Sequence, residues 1–292
     1  MIDGIHFEIP SEAVFNSDIL EFKCYGNIYR AKYNGFIIDH YGQFCKVSGS
    51  IHKYFNDGVH NYNDFTISDY MKALDDLSKV LNVNPEIIRI GRIEIGVNIE
   101  LDTDYNVYDF LSSVFMLGYK MPEKLGQIGF VFKFREYDLK IYSKKLDKHK
   151  EKLRIELVIK HKSKRNVIIK ESAPYCNTLM DLSNSDIWKA FGCELLKVFD
   201  NIIIIDKDNI DYNNLTPKEL KLLINRSNPF YWKKELSRQT RNNHLKRFLN
   251  IIKKDGGNRM KDEVKQKIKT KINDLICMNN NLPQYDTSLQ LS

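Results

Sequence analysis

Three short runs constrain this chain more than any other feature. In RIGRIEIGVNIE (89–100), Ile93, Ile95, Val97 and Ile99 alternate with Arg92, Glu94, Gly96 and Asn98. In KLRIELVIKHK (152–162), Ile155, Leu157 and Ile159 alternate with Arg154, Glu156 and Lys160. In LKIYSKKLD (139–147), Lys140, Tyr142 and Lys144 share one set of alternate positions. An extended chain sends successive side chains to opposite faces, so each run has one apolar face and one charged face. Further alternating or apolar runs lie at 19–25, 28–38, 43–52, 128–134 and 201–205. Short polar turns such as KYNG and REYD join several of them, which predicts antiparallel pairing.

Helical spacing interrupts the strands. TISDYMKALDDLSKVLN (66–82) puts Ile67, Tyr70, Met71, Leu74, Leu77 and Leu81 on one face, with Thr66 and Asp69 placed as a capping box. Helices are also expected over 107–117 and 186–199. After the polar stretch 206–214 the pattern becomes helical and basic. Thr216, Pro217 and Glu219 open one helix, 229–254 reads as a long second one, DGGN (255–258) breaks it, and 261–276 forms a third. The expected fold class is α+β: a large, mostly antiparallel sheet with helices on one face, followed by a basic α-helical C-terminal appendage. The expected division is a catalytic domain over 1–208, a basic DNA-binding appendage over 213–278 and a disordered tail over 279–292.

Charge is unevenly spread. Residues 132–170 carry 14 Lys/Arg against 5 Asp/Glu, and residues 216–277 carry 17 against 6, whereas residues 1–131 carry 11 against 18. Two basic blocks in an otherwise acidic chain predict a localised surface for a polyanion. No apolar run is long enough for a membrane span, and the first residues lack the basic-then-apolar order of a signal peptide. The five cysteines are scattered without a CxxC pair, which argues against a disulfide framework or a zinc knuckle and suits reduced thiols in a cytoplasm.

Charged residues on the solvent side of antiparallel strands ordinarily form cross-strand ion pairs and nothing more. Here a tyrosine flanked by lysines accompanies two carboxylates in very apolar strands, which also suits phosphodiester cleavage by tyrosine. A phenol ionises at about 10 and needs cations to become nucleophilic at neutral pH. Two carboxylates, Glu94 and Glu156, with a histidine can hold Mg²⁺ or Mn²⁺ with positions open for phosphate oxygens. Lysines offset the charge of the pentavalent transition state.

The order RIEIGVNIE, LKIYSKKLD, LRIELVIKHK resembles the rolling-circle replication initiators of plasmids and phages, whose pattern is roughly Arg-x-Asp-x-x-x-Asp, then Arg-x-Tyr-x-Lys, then Arg-x-Glu. The stretch SGSIHKYFNDGVHNYNDF (48–65) resembles part of the filamentous-phage replication endonucleases. The resemblance spans about residues 45–162. It implies Tyr142 as the nucleophile that becomes joined to a DNA 5′ end, Glu94 and Glu156 as metal ligands and Lys144 beside the phosphate. Glu94 stands where that pattern has aspartate, and Asn98 where it has a second acid. The implied activity is site-specific nicking and rejoining of one DNA strand at a replication origin. The expected partners are origin DNA, including a hairpin, a host helicase and a second copy of the chain, with no membrane. A non-catalytic nucleic-acid-binding protein and a tyrosine transposase-like strand transferase are the alternatives.

His52 is expected to continue a strand with Ser50 and Tyr54 and to serve as a third metal ligand if it shares the face of Glu94; His60 falls in a turn. The expected DNA contacts are Lys53, Lys140, Lys145 and Arg154 on the sheet, and Arg238, Arg241, Lys246 and Arg247 on the appendage.

Overall fold

The structure is a computed structural model that describes residues 1–10, 19–101, 105–145, 151–170, 175–254 and 258–277. The expected tail at 279–292 and most of the DGGN break lie outside the described residues. The elements, in chain order, are β1 (Ile2–Pro10), β2 (Lys23–Tyr25), β3 (Ile28–Tyr33), β4 (Phe36–His40), β5 (Phe44–Ser50), α1 (Ile51–Phe55), α2 (Ile67–Leu81), β6 (Ile90–Ile99), α3 (Val107–Ser113) and β7 (Val114–Leu117). There follow β8 (Glu123–Lys124), β9 (Gly129–Lys133), β10 (Tyr137–Lys145), β11 (Glu151–Ile159), α4 (Lys162–Ile169), α5 (Ser185–Asp200), β12 (Ile202–Ile204), α6 (Pro217–Arg226), α7 (Pro229–Trp232), α8 (Arg238–Lys254) and α9 (Arg259–Cys277).

Ten strands form one antiparallel sheet in the order β2-β3-β4-β5-β1-β6-β11-β10-β9-β8, and β7 pairs with β12 separately. The fold class is therefore α+β with a large antiparallel sheet. The alternation sets its registry: Glu156 lies across from Gly96 on β6 and from Lys140 on β10, and Arg154 lies across from Asn98 and Tyr142. The intervening Ile93, Ile95, Val97, Leu139, Ile141, Ile155 and Leu157 are fully buried in the main core, which α3, α5 and α9 cover. Each such side chain contributes about 1.5–3 kcal/mol of transfer free energy.

The centre of the sheet is β1, a strand that the sequence runs above do not include. It pairs with β5 on one side and β6 on the other and so joins the two halves. Its pairing with β6 slips between Ile2 and Ile5, a bulge that turns both Asp3 and Gly4 toward the charged face.

Other expectations change in detail. The helix expected over 107–117 stops at Ser113, because Val114–Leu117 instead pairs with Ile202–Ile204. The long helix expected over 229–254 divides into one turn, α7, and α8, which starts where Ser237 Oγ accepts from Thr240 N at 3.2 Å. The capping boxes at Thr66 and Thr216 form as the sequence predicts. The basic region from 213 does not pack as one body. Met116, Ile203, Leu223, Trp232, Phe248 and Ile252 make a second core between the small sheet and α6–α8. Helix α9 leaves it and returns to the main core through Val264, Ile268, Ile272 and Leu275. Among the described residues no helix is long and apolar enough to cross a membrane.

Candidate active site

The three sequence runs place their polar positions on one face of adjacent strands. Tyr142 donates its hydroxyl to Glu156 Oε2 at 3.0 Å. Lys140 reaches Glu156 Oε1 at 2.8 Å and Glu94 Oε2 at 3.4 Å. Arg92 pairs with Glu94 from the same strand. Arg154 lies with Nε 3.6 Å from Glu156 Oε2, donates to Asn98 Oδ1 at 3.1 Å and pairs with Asp3 Oδ2 at 2.6 Å. Asp3 also accepts from Ser50 and from Asn61 Nδ2, the latter at 2.8 and 3.0 Å. Lys144 donates to the Asn61 carbonyl at 2.7 Å, and Asn98 donates to the carbonyls of Asn61 and Tyr62. The loop after α1 thus crosses one end of the charged face and is fastened there by main-chain carbonyls.

Gly4 makes this arrangement possible. A Cβ at that position would lie 2.8 Å from the Glu94 side chain.

The electrostatics follow from burial and pairing. Burial, the largest single influence, would raise Asp3, but the Arg154 guanidinium together with the hydrogen bonds from Ser50 and Asn61 and the nearby Lys144 outweighs it and holds that carboxyl down at about 2. Burial would likewise raise Glu156, but Arg154, the hydrogen bond with Glu94 and Lys140 together lower it. Glu94 goes the other way: burial and the adjoining Glu156 carboxyl raise it, so the pair favours one proton on Glu94. Burial, then the Glu156 charge, pushes the Tyr142 phenol well above its ordinary value. Burial lowers Lys144 to about 7, with Arg154 adding to the effect.

The histidine expectation is corrected. The chain turns at Ser50, whose hydroxyl caps α1 by accepting from Lys53 N at 3.0 Å, so His52 sits on a helix and not on a strand beside Ser50 and Tyr54. Its ring stacks on Phe65, Nε2 contacts Asn63 Oδ1 at 2.7 Å, and burial holds its pKa down at about 4. Helical turn chemistry won over the alternating pattern because Ser50 is a strong N-cap. His60 stacks on Tyr62 in the crossing loop.

The expected ligand trio of Glu94, Glu156 and His52 therefore does not assemble. Among the described residues no group of three or more His, Cys, Asp or Glu side chains is placed to hold a metal ion. Between the two glutamates, where a divalent ion would need to sit, lies the Lys140 ammonium. As arranged, these residues do not fit Mg²⁺ or Mn²⁺.

The remaining expected contacts separate into two sets. Lys140 and Arg154 are part of the network, Lys145 ends β10 in an exposed position, and Lys53 lies on α1 with its side chain against Gly35. On α8, Arg238, Lys246 and Arg247 are exposed, while Arg241 stacks its guanidinium 5.6 Å from the Tyr119 ring centroid. Asp3 and Asn61 are site residues that the sequence runs missed. The available signal for Asp3 was an acid inside the alternation of Ile5, Phe7 and Ile9.

Comparison with protein-family models, with curated proteins and with solved structures returns no match.

Proposed function

We propose that the chain is a DNA nicking and joining enzyme of the kind that initiates rolling-circle replication, with Tyr142 as nucleophile. The observation that carries this reading is the Tyr142 hydroxyl seated on the Glu156 carboxylate, with Lys140 and Arg154 beside the same carboxylate. Three cationic side chains, Arg92, Lys140 and Arg154, face three carboxyls, Asp3, Glu94 and Glu156, with the Lys144 amine close by, which suits a phosphodiester anion.

In the proposed reaction the phenol oxygen attacks the scissile phosphorus. The Tyr142 proton moves to Glu156 as the new P–O bond forms, because a phenol raised so far does not ionise beforehand. The bond to the 3′ oxygen breaks, and that oxygen leaves as a hydroxyl after taking up the proton. Lys140 offsets charge on the non-bridging oxygens. The product is a 5′-phosphotyrosyl strand, and reversal by a 3′ hydroxyl rejoins DNA without a new energy source. The exposed cations of α8 suit phosphate contacts along the duplex beside the nick.

The test is nicking of supercoiled DNA carrying the element's own origin, with a protein–DNA adduct resolved on a denaturing gel. Tyr142→Phe is expected to lose both products. Wild-type-like nicking by that variant would remove Tyr142 from the mechanism. The second reading, a nucleic-acid-binding protein without catalysis, draws on the raised and hydrogen-bonded phenol. It predicts binding with neither product.

A further inference from the structure

Beside Tyr142, on the side away from Glu156, lies a cavity of about 510 Å³ that the nicking chemistry leaves without a role. Its walls include Leu125, Gln127 and Ile128 from the turn between β8 and β9, with Tyr142, Lys140 and Lys145 from β10. The volume lies within the range of small-ligand sites, roughly 300–1,000 Å³.

The cavity is built into the fold. Leu125 N donates to the Gly129 carbonyl at 2.9 Å, and Ser143 N donates to the Ile128 carbonyl at 3.0 Å, which fixes the turn against β10. Gly129 lets the two strands meet at this point, since a Cβ there would lie 2.5 Å from Tyr142 Cβ. The wall residues differ in kind. Leu125 and Ile128 offer apolar surface, whereas Gln127 is exposed and makes no hydrogen bond to the described residues. On the β10 wall Lys145 supplies an exposed cation, while Lys140 lines the cavity with its ammonium held by Glu94 and Glu156.

We propose that this cavity is a nucleobase pocket that takes the base of a nucleotide adjoining the attacked phosphate, with Gln127 reading the base edge. The inference rests on the nicking reading for the place of the phosphate. A phosphate at the Tyr142 hydroxyl puts the neighbouring nucleoside within reach of either side of the ring. The Glu156 side is filled with paired charges, and the β9 side holds this cavity. Leu125 and Ile128 suit the flat faces of a base, and Lys145 suits a flanking phosphate. A glutamine amide offers one donor and one acceptor side by side, which matches the N6 and N7 edge of adenine.

The experiment uses the full chain carrying Tyr142→Phe, which keeps the ring and removes the chemistry. A pool of randomised single-stranded 12-mers is bound, recovered and sequenced. Enrichment of one base, adenine, at one position is expected. Adding Gln127→Ala is expected to abolish the preference at that position and to leave the preferences elsewhere in place. A profile without a single-position preference, or one that Gln127→Ala leaves unchanged, overturns the pocket. Nicking by the wild-type chain is measured alongside. Nicking with a flat profile defeats the pocket alone. A Gln127-dependent profile without nicking keeps a base pocket and defeats the nicking reading.

Discussion

The chain carries cations in two very different settings. On the sheet, Arg154 is only 2% exposed and is held by Asp3, Asn98 and Glu156, and Lys140 bridges two carboxylates. On α8, Arg238, Lys246 and Arg247 project from a helix whose inner side packs through Phe248, Ile251 and Ile252. Buried charges cost several kcal/mol each unless their partners are exact in geometry, so the sheet cluster persists only as a network. Exposed charges cost little and hold no fixed geometry, and against a polyanion they would act through counterion release. The same residue types are therefore held in fixed positions in one region and left exposed in the other. Substitutions should separate the two regions.

The largest expected effect is chemical. Tyr142→Phe should lower nicking of supercoiled DNA by more than about 10³-fold while duplex affinity in a filter or anisotropy assay changes by less than about twofold. If affinity falls as steeply as nicking, the sheet cluster is a binding surface and the contrast between the regions collapses.

Next comes stability. Asp3→Ala leaves Arg154 buried beside fewer acceptors and should cost about 3–5 kcal/mol in urea unfolding. The pH dependence has a defined sign. Asp3 is held at about 2 in the fold against an ordinary 3.8, so its contribution is complete above pH 4 and is lost as pH falls toward 2. The Asp3→Ala chain should lack that part of the acid transition. An unchanged transition would mean that Arg154 is satisfied without Asp3.

How much of this was legible follows from which residues carry local pattern. Glu94, Glu156, Tyr142, Lys140 and Arg154 announced their common face through period-two alternation, and the pairing of β6, β11 and β10 honours it. Asp3 did not, because the β1 bulge rather than a regular alternation turns it to that face, and its partner Arg154 is 151 positions away. At His52 the sequence is ambiguous because a strand pattern and a strong N-cap overlap at Ser50, and only the hydrogen bond to Lys53 N decides between them. Helix α9 has the same basic, narrow-striped sequence as its neighbours, yet its stripe fits the main core and theirs fits the second one. Such choices depend on which surface is vacant after the sheet forms, which no local window contains.

A smaller effect tests the place between the glutamates. Lys140→Ala removes the ammonium from Glu94 and Glu156. The variant should then gain a Mn²⁺-dependent rise in stability of about 1–3 kcal/mol at ten- to hundredfold excess over its Kd, read as a shift in Tm. The parent chain should show no comparable shift. A shift of equal size in the parent would mean that a divalent ion displaces or accompanies Lys140.

Lys144 gives a weaker handle on the same cluster. Burial brings it to about 7 against an ordinary 10.5, so between these values the unfolded chain binds more protons. Stability should rise with pH across that window, by about 1 kcal/mol from pH 7 to 9 once partial solvent screening is allowed for. Lys144→Met should flatten the rise in urea midpoints. A fall with pH instead would place Lys144 in a setting that favours its charge.

The smallest stability effects belong to α8, and their smallness is informative. Replacing Arg238, Lys246 or Arg247 singly by alanine should change unfolding free energy by less than about 0.5 kcal/mol, since none of the three is buried. Each one that touches a phosphate should nevertheless lower the slope of log affinity against log salt by about 0.9 on duplex DNA. Arg241 is the internal control, because its guanidinium already lies over Tyr119 and its main chain continues the helix that Ser237 caps. Its replacement should disturb local packing more and the salt slope less than the other three. If all four change the slope equally, stacking on Tyr119 does not withdraw Arg241 from DNA, and exposure alone decides which cations of this helix attract a polyanion.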